Sequence, residues 1–257
     1  MKKFGKSPSA APAAKSGSVR PLMPALMRLV VTWRLFWQQR GKMLALAAVV
    51  VVPSTLIRAV SEVTIDFSLV LFVAAVFAVL ALIRFCHSMD TASSQSIAKI
   101  YTQSSGRFLQ VLGVTLVQAV ALLPGIFAIV LIVFVGGFGL SRWLYIPGLL
   151  VFAFTLVGVA GLALAQFIAA CEDTSIIGSL RASWQRTKGK RLRLVGHFAL
   201  VLLIISAVSS AVFFVINLSA MLAASWLVQG VASSLLIVVA LPWFITYGYS
   251  IYGETTR

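Results

Sequence analysis

LVGHFALVLLIISAVSSAVFFVINLSAMLAASWLVQGVASSLLIVVALPWFITYGYSIYG, residues 194–253, runs for sixty residues without a Lys, Arg, Asp or Glu. A membrane-spanning helix needs about 20 mostly apolar residues, so a run of this length holds two. Polar residues and a glycine interrupt the apolar pattern between Asn217 and Gly230, as expected for the turn between two helices. The stretch therefore predicts a hairpin of two membrane spans.

The rest of the chain has the same character. Of its 257 residues 60% are hydrophobic and 11% are charged, whereas about a quarter of the residues in soluble domains are charged. A run of 34 residues is too short for a hairpin, so Phe108–Ser141 predicts one long helix bent at Pro124-Gly125. The composition predicts an all-α integral membrane protein with six transmembrane helices, four of them in the uncharged runs Met43–Ile57, Phe67–Ile83, Phe108–Ser141 and Trp143–Cys171.

The positive charges fall on one side of this six-span arrangement. Nineteen Lys and Arg residues lie in the termini and the even-numbered connections, against Arg58 and Arg142 on the opposite side. Because positively charged loops stay in the cytoplasm, both termini are predicted to be cytoplasmic in a bacterial-type cytoplasmic (inner) membrane. The net charge of +15 is then largely a topology signal, and nucleic acid is not an expected partner.

Residues 1–24 are basic and contain no apolar segment of the kind that a signal peptide requires. Their Pro, Ser, Ala and Lys content predicts a disordered tail. Residues 25–257 are predicted to form a single membrane domain.

An internal repeat organises that domain. A shift of 83 residues superimposes the 24 residues from Asp90 on those from Asp173 with six identities, and a weaker copy includes GKMLAL at 41–46. The predicted repeats span about 25–86, 90–171 and 173–253, each with a cytoplasmic interfacial amphipathic helix, a glycine, a basic residue and a two-span hairpin. In the third repeat Asp173 or Thr174 is expected to cap the short helix, and Gly189 is expected to end it in a left-handed conformation.

The third repeat also predicts a lipid contact. Its basic residues lie beside the inner mouth of the fifth span, where cations meet lipid phosphates and tryptophan suits the headgroup boundary. Membrane topology by itself is an alternative explanation for these charges. The residues expected to contact anionic headgroups are Trp184, Arg186, Lys188, Lys190, Arg191 and Arg193.

Catalytic chemistry has little support in the sequence. Two His, two Cys and six acids do not cluster, so neither catalytic residues nor a metal site nor a cofactor is expected. Three polar residues, Gln118, Gln166 and His197, fall in the cytoplasmic half of predicted spans and are candidates for an intramembrane polar cluster. The alternative is that each makes an ordinary interhelical hydrogen bond.

Part of the chain resembles a known family. The segment CEDTSIIGSLRASWQRTKGK at 171–190, together with the Leu-Pro-Gly and Ile-Pro-Gly steps at Pro124 and Pro147, is similar to the bacterial glycerophosphoryl diester phosphodiesterase membrane-domain family. The resemblance covers about residues 90–200 and implies a six-span membrane module. The family's soluble catalytic domain has no counterpart in this sequence.

These observations favour a non-enzymatic membrane module. Its expected partners are anionic lipids of the inner leaflet, or a membrane or cytoplasmic protein, met by the interfacial helices. The alternative function is a transporter or permease subunit for an apolar or lipid-like solute. An enzyme is the third hypothesis.

Overall fold

The computed structural model describes residues 23–60, 65–90, 96–137, 145–220 and 226–256, and the regular structure among them is entirely α-helical. The helices in chain order are α1 (Ala25–Val60), α2 (Ile65–Asp90), α3 (Ile97–Ser105), α4 (Phe108–Gly137), α5 (Tyr145–Leu162), α6 (Ala165–Cys171), α7 (Ile176–Arg186), α8 (Arg191–Ala220) and α9 (Trp226–Thr256).

Five helical stretches in the described residues are long and apolar enough to cross a membrane. They are Phe72–Asp90, Phe108–Phe134, Tyr145–Cys171, Arg191–Val215 and Leu235–Thr256. The protein is therefore a multi-pass membrane protein. The remaining predicted span, Met43–Ile57, is the first in chain order; it lies within α1 and is not among the five. The side chains of residue 50 and of residues 54–60 lie outside the described residues, as do residues 1–22 of the predicted tail.

The long helices confirm two expectations about the apolar runs. α4 continues through Pro124 to Gly137 as one helix, as the length of its apolar run predicts. The sixty-residue run forms two helices, since α8 ends at Ala220 and α9 begins at Trp226.

The first predicted repeat differs from the structure. We expected a separate interfacial helix that stops at Gly41, but α1 is a single helix of 36 residues that passes through this glycine. Gly41 does not have the left-handed conformation that would end a helix. Among the described residues, the only glycine with a positive φ is Gly189, at 78°. Farther along the chain, a short helix precedes two longer ones in α3–α4–α5 and in α7–α8–α9, and the short helix α6 lies between these two groups.

Burial is concentrated toward one end of the bundle. Half of the residues in the most apolar part of α2 and of α9 are buried inside the protein. In α4 and α8 only a small fraction of the corresponding residues is buried. The core contains residues from the second half of α2, all of α6 except Gln166, and residues from the second half of α9. Away from the buried end, large apolar side chains of α4, α5 and α8 are exposed where a bilayer would surround them. Examples are Phe127, Phe154 and Leu203. The short helices α3 and α7 pack against the buried end.

Candidate functional site

The apolar faces of the two short helices pack inward. In α3, Ile100 is 1% exposed, and the hydroxyl of Tyr101 donates to the Leu46 carbonyl of α1 at 2.9 Å. In α7, Ile176 and Leu180 pack against the core. These side chains therefore belong to the bundle, and the apolar faces of the predicted interfacial helices are largely used for internal packing.

The start of α7 corrects the predicted cap. Ser175, rather than Asp173 or Thr174, is the N-cap, and its Oγ accepts from the Gly178 N–H at 3.1 Å. Asp173 instead forms an exposed ion pair with Arg107 at 3.2 Å. The helix begins one or two residues later than the predicted caps would place it, so Ser175 occupies the position from which a side chain reaches the free amides.

Glu172 joins three parts of the molecule. Its carboxylate accepts two bonds from Arg186 at the end of α7, at 2.5 and 2.9 Å, and a third from the Tyr252 hydroxyl of α9 at 2.8 Å. Its backbone carbonyl accepts from Arg107. The hydrogen bonds from Arg186 are the main reason why the pKa of Glu172 lies below its ordinary value. Arg186, which we expected at a lipid headgroup, is thus engaged inside the protein.

A helix break next to α7 holds it in place. Between α5 and α6 the regular hydrogen bonding is interrupted, and buried carbonyls must find other donors. The Gly161 carbonyl accepts from Ser183 Oγ at 2.8 Å and from Thr187 Oγ1 at 3.2 Å. The Leu162 carbonyl accepts from Gln118 Nε2 at 2.7 Å. The freed carbonyls therefore accept from Ser183 of α7, from Thr187 directly after α7 and from Gln118 of α4.

Trp184 also packs against the break between α5 and α6. Its ring lies over Gly161, where an added Cβ would come within 2.6 Å of the ring. The Arg191 guanidinium stacks on the Trp184 ring, 3.5 Å from its centroid, and also donates to the Trp184 carbonyl at 3.2 Å. Trp184 is 45% exposed, so it contacts both the bundle and its surroundings.

The turn between α7 and α8 leaves cations without acidic partners. Gly189 has the predicted left-handed conformation, but it does not end α7: the helix stops at Arg186, with Thr187 as its C-cap, and Gly189 lies in the turn that follows. None of the described ion pairs includes Lys188, Lys190 or Arg193. We call Lys188, Lys190, Arg191 and Arg193 the basic turn.

The three polar residues expected to form one cluster have separate partners. Gln166 Nε2 donates to Thr115 Oγ1 at 3.1 Å, one helical turn from Gln118 on α4. His197 Nδ1 lies 2.7 Å from the Tyr247 hydroxyl. These contacts among the described residues resemble the alternative of individual interhelical hydrogen bonds, and they do not link His197 to the two glutamines.

The C-terminal half of α9 supplies polar contacts that the sequence analysis missed. Arg28 is 1% exposed and donates to Ser250 Oγ at 3.0 Å and to Glu254 Oε2 at 2.5 Å. The Tyr249 hydroxyl donates to Asp90 at 3.0 Å. The sequence does contain a sign of these polar contacts, because three tyrosines interrupt an otherwise apolar span at positions 247, 249 and 252. Asp90, Tyr249, Ser250 and Glu254 also line a cavity of about 310 Å³.

The described residues include no group of three His, Cys, Asp or Glu side chains that could hold a metal ion. No family model matches the chain, and neither a curated protein nor a solved structure matches it. The resemblance to the phosphodiesterase membrane-domain family therefore stays a prediction.

Proposed function

We propose that this protein is a non-enzymatic module of the cytoplasmic membrane that binds anionic inner-leaflet lipid through its basic turn. The observation that carries the proposal is that Lys188, Lys190 and Arg193 form no ion pair with any described acid and lie near the half-exposed Trp184 in the chain. Cations next to tryptophan at the end of an apolar helix suit the level of lipid phosphates.

Charge pairing elsewhere supports this assignment. The acids whose side chains are described all have donors: Asp90 has Tyr249, Glu172 has Arg186, Asp173 has Arg107 and Glu254 has Arg28. No described carboxylate is left to neutralise the basic turn. A phosphate group from outside the protein would do so.

The docking of α7 also supports the proposal. Ser183 and Thr187 attach the helix to the Gly161 carbonyl, and Arg186 attaches its last turn to Glu172. The basic turn therefore begins from a fixed point, which lowers the entropy that its cations lose on binding. A protein partner is less well supported, because Ile176 and Leu180 of α7 already pack against the core.

The experiment compares two triple variants of the reconstituted protein. In nanodiscs that contain phosphatidylglycerol and phosphatidylcholine, Lys188→Gln, Lys190→Gln and Arg193→Gln together should lower the enrichment of phosphatidylglycerol around the protein at least tenfold. Each cation near an anionic surface contributes about 1 kcal/mol, or about a fivefold preference. The measurement is native mass spectrometry of retained lipid at low and high salt.

The matched control removes the same charge from exposed residues elsewhere: Arg34→Gln, Lys42→Gln and Lys99→Gln. It should retain most of the phosphatidylglycerol preference. Equal losses in the two triple variants would show that net charge alone attracts the lipid. If the first variant keeps its preference for phosphatidylglycerol, the basic turn serves membrane topology alone. Binding of a protein partner would then be the remaining hypothesis.

A further inference from the structure

An apolar groove of about 430 Å³ lies between α1, α8 and α9. Val30 and Trp33 of α1, Ile204 and Val208 of α8, and Ala240 and Trp243 of α9 are among the residues that line it. The volume falls in the range of small-molecule sites, about 300–1,000 Å³. Its lining offers almost no polar surface, so an occupant must be largely hydrocarbon where it meets these helices.

A buried donor without an acceptor belongs to the wall of this groove. Trp243 is 9% exposed and its ring packs edge-on against Trp33, with the centroids 5.7 Å apart. Its Nε1–H, the one donor of the side chain, has no partner among the described residues. A buried donor left unpaired costs about 1–3 kcal/mol. An acceptor for this donor would have to come from outside the described residues.

The charges at one end of the groove indicate which end of a lipid would lie there. Arg28 immediately precedes the groove residue Leu29, and its Nε has no acceptor among the described residues. On α8, Arg193, His197, Ile204 and Val208 share one helical stripe. Arg193 and Ile204 are about 16 Å apart at helical rise, close to half of the roughly 30 Å hydrocarbon core. A lipid with its phosphate beside Arg193 would therefore place its chain along the groove.

We propose that the α1–α8–α9 groove holds one acyl chain of an anionic phospholipid from the adjacent leaflet. The headgroup end of this inference rests on the proposed function, because Arg193 belongs to the basic turn. The chain end is independent of it, since it rests on the apolar lining and on Trp243. The site differs from lipid contact with a single helix because three helices line the groove.

The test uses the full chain in phosphatidylcholine nanodiscs that contain a small fraction of phosphatidylglycerol with a photoreactive diazirine on one acyl chain. After irradiation, mass spectrometry should find crosslinks concentrated in the groove segments 204–209 and 236–243. The exposed positions Phe127 and Phe154, which meet bulk lipid, should give several-fold fewer crosslinks. Crosslinks spread evenly over all exposed apolar positions of the wild-type protein would by themselves overturn the proposal.

A pair of size-matched variants gives the second test. Ala240→Phe places a ring in the groove and should lower crosslinking to its segments at least fivefold. Ala207→Phe makes the same change on an exposed position of α8 and should leave the crosslinks unchanged. If both variants fold, elute as single species and crosslink equally in the groove, no chain is bound there.

The basic-turn triple variant separates the two proposals. It should lose headgroup preference and yet keep its groove crosslinks when the photoreactive lipid is phosphatidylcholine. Loss of crosslinks in Ala240→Phe together with an unchanged headgroup preference in the triple variant would support the groove and contradict the proposed function. The reverse pattern would contradict the groove alone.

Discussion

At the scale of single residues, Glu172 and Asp173 show how differently two neighbouring carboxylates are used. Glu172 accepts from Arg186 and Tyr252 and is 28% exposed, whereas Asp173 meets Arg107 and is 94% exposed. An exposed ion pair contributes little to stability. A partly buried carboxylate with several donors contributes more, because its removal leaves those donors unsatisfied.

We therefore predict that Glu172→Gln lowers the free energy of unfolding by about 1–3 kcal/mol, since the amide cannot accept both guanidinium bonds. Asp173→Asn is the matched control, with the same chemical change on the adjacent residue, and should change stability negligibly. Unfolding in mixed micelles of increasing denaturing-detergent fraction measures both. Equal decreases in the free energy of unfolding of the two variants would show that the Glu172 contacts with Arg186 and Tyr252 do not stabilise the protein.

The same residue gives the expected direction of the pH dependence. Because Arg186 and Tyr252 hold the pKa of Glu172 below its ordinary value, the stabilisation is complete above the unfolded-state pKa of about 4.3. It is lost as the pH falls through the lower folded-state pKa. The stability difference between wild type and Glu172→Gln should accordingly shrink below about pH 4.3 and stay constant near neutrality.

At the scale of elements, the break between α5 and α6 and the docking of α7 form one unit. The carbonyls that the break frees are the acceptors for Ser183, Thr187 and Gln118. Gly161 is required there because the Trp184 ring occupies the space of a Cβ. The attached α7 in turn sets the position of the basic turn.

Gly161→Ala should displace Trp184 and lower the free energy of unfolding by about 1–3 kcal/mol, the usual effect of overpacking. Gly158→Ala is the control in the same helix, because nothing lies within 4 Å of its added Cβ. It should be neutral or should stabilise by up to about 1 kcal/mol. Thermal unfolding of the purified variants gives the comparison, and a Gly161→Ala protein as stable as Gly158→Ala would contradict the packing of Trp184.

At the scale of the whole molecule, the two ends of the described chain meet. The Met23 N–H donates to Glu254 at 3.2 Å, and Arg28 binds the same carboxylate. Residues 23 and 254 therefore lie at the same end of the bundle. This contact is compatible with the even number of spans that the distribution of positive charges predicts.

Single-cysteine labelling tests the orientation, in a background with Cys86 and Cys171 replaced by Ala. In intact cells, an impermeant thiol reagent should label Arg142→Cys and should leave Ser105→Cys and Lys188→Cys unlabelled, because the basic segments stay in the cytoplasm. Permeabilised cells, in which all three should react, provide the control. Labelling of Lys188→Cys from outside intact cells would rule out the predicted topology.

The sequence alone determined the features that depend on neighbouring residues. Apolar runs gave the long helices, including α4 through Pro124 and the division of residues 194–253 into α8 and α9. Gly189 marked the left-handed turn, since glycine lacks the Cβ that disfavours this conformation. Each of these follows from local hydropathy or backbone sterics, which can be read in order along the chain.

The tertiary structure alone decided which polar side chains meet. Tyr252 and Glu172 are 80 residues apart in sequence, and Arg28 reaches Glu254 across 226. Gln118 gave a polar signal in the sequence, but its acceptor is a Leu162 carbonyl that is free because the helix breaks there. Such pairings depend on how whole helices rotate and pack, a collective result that hydropathy and local spacing do not encode.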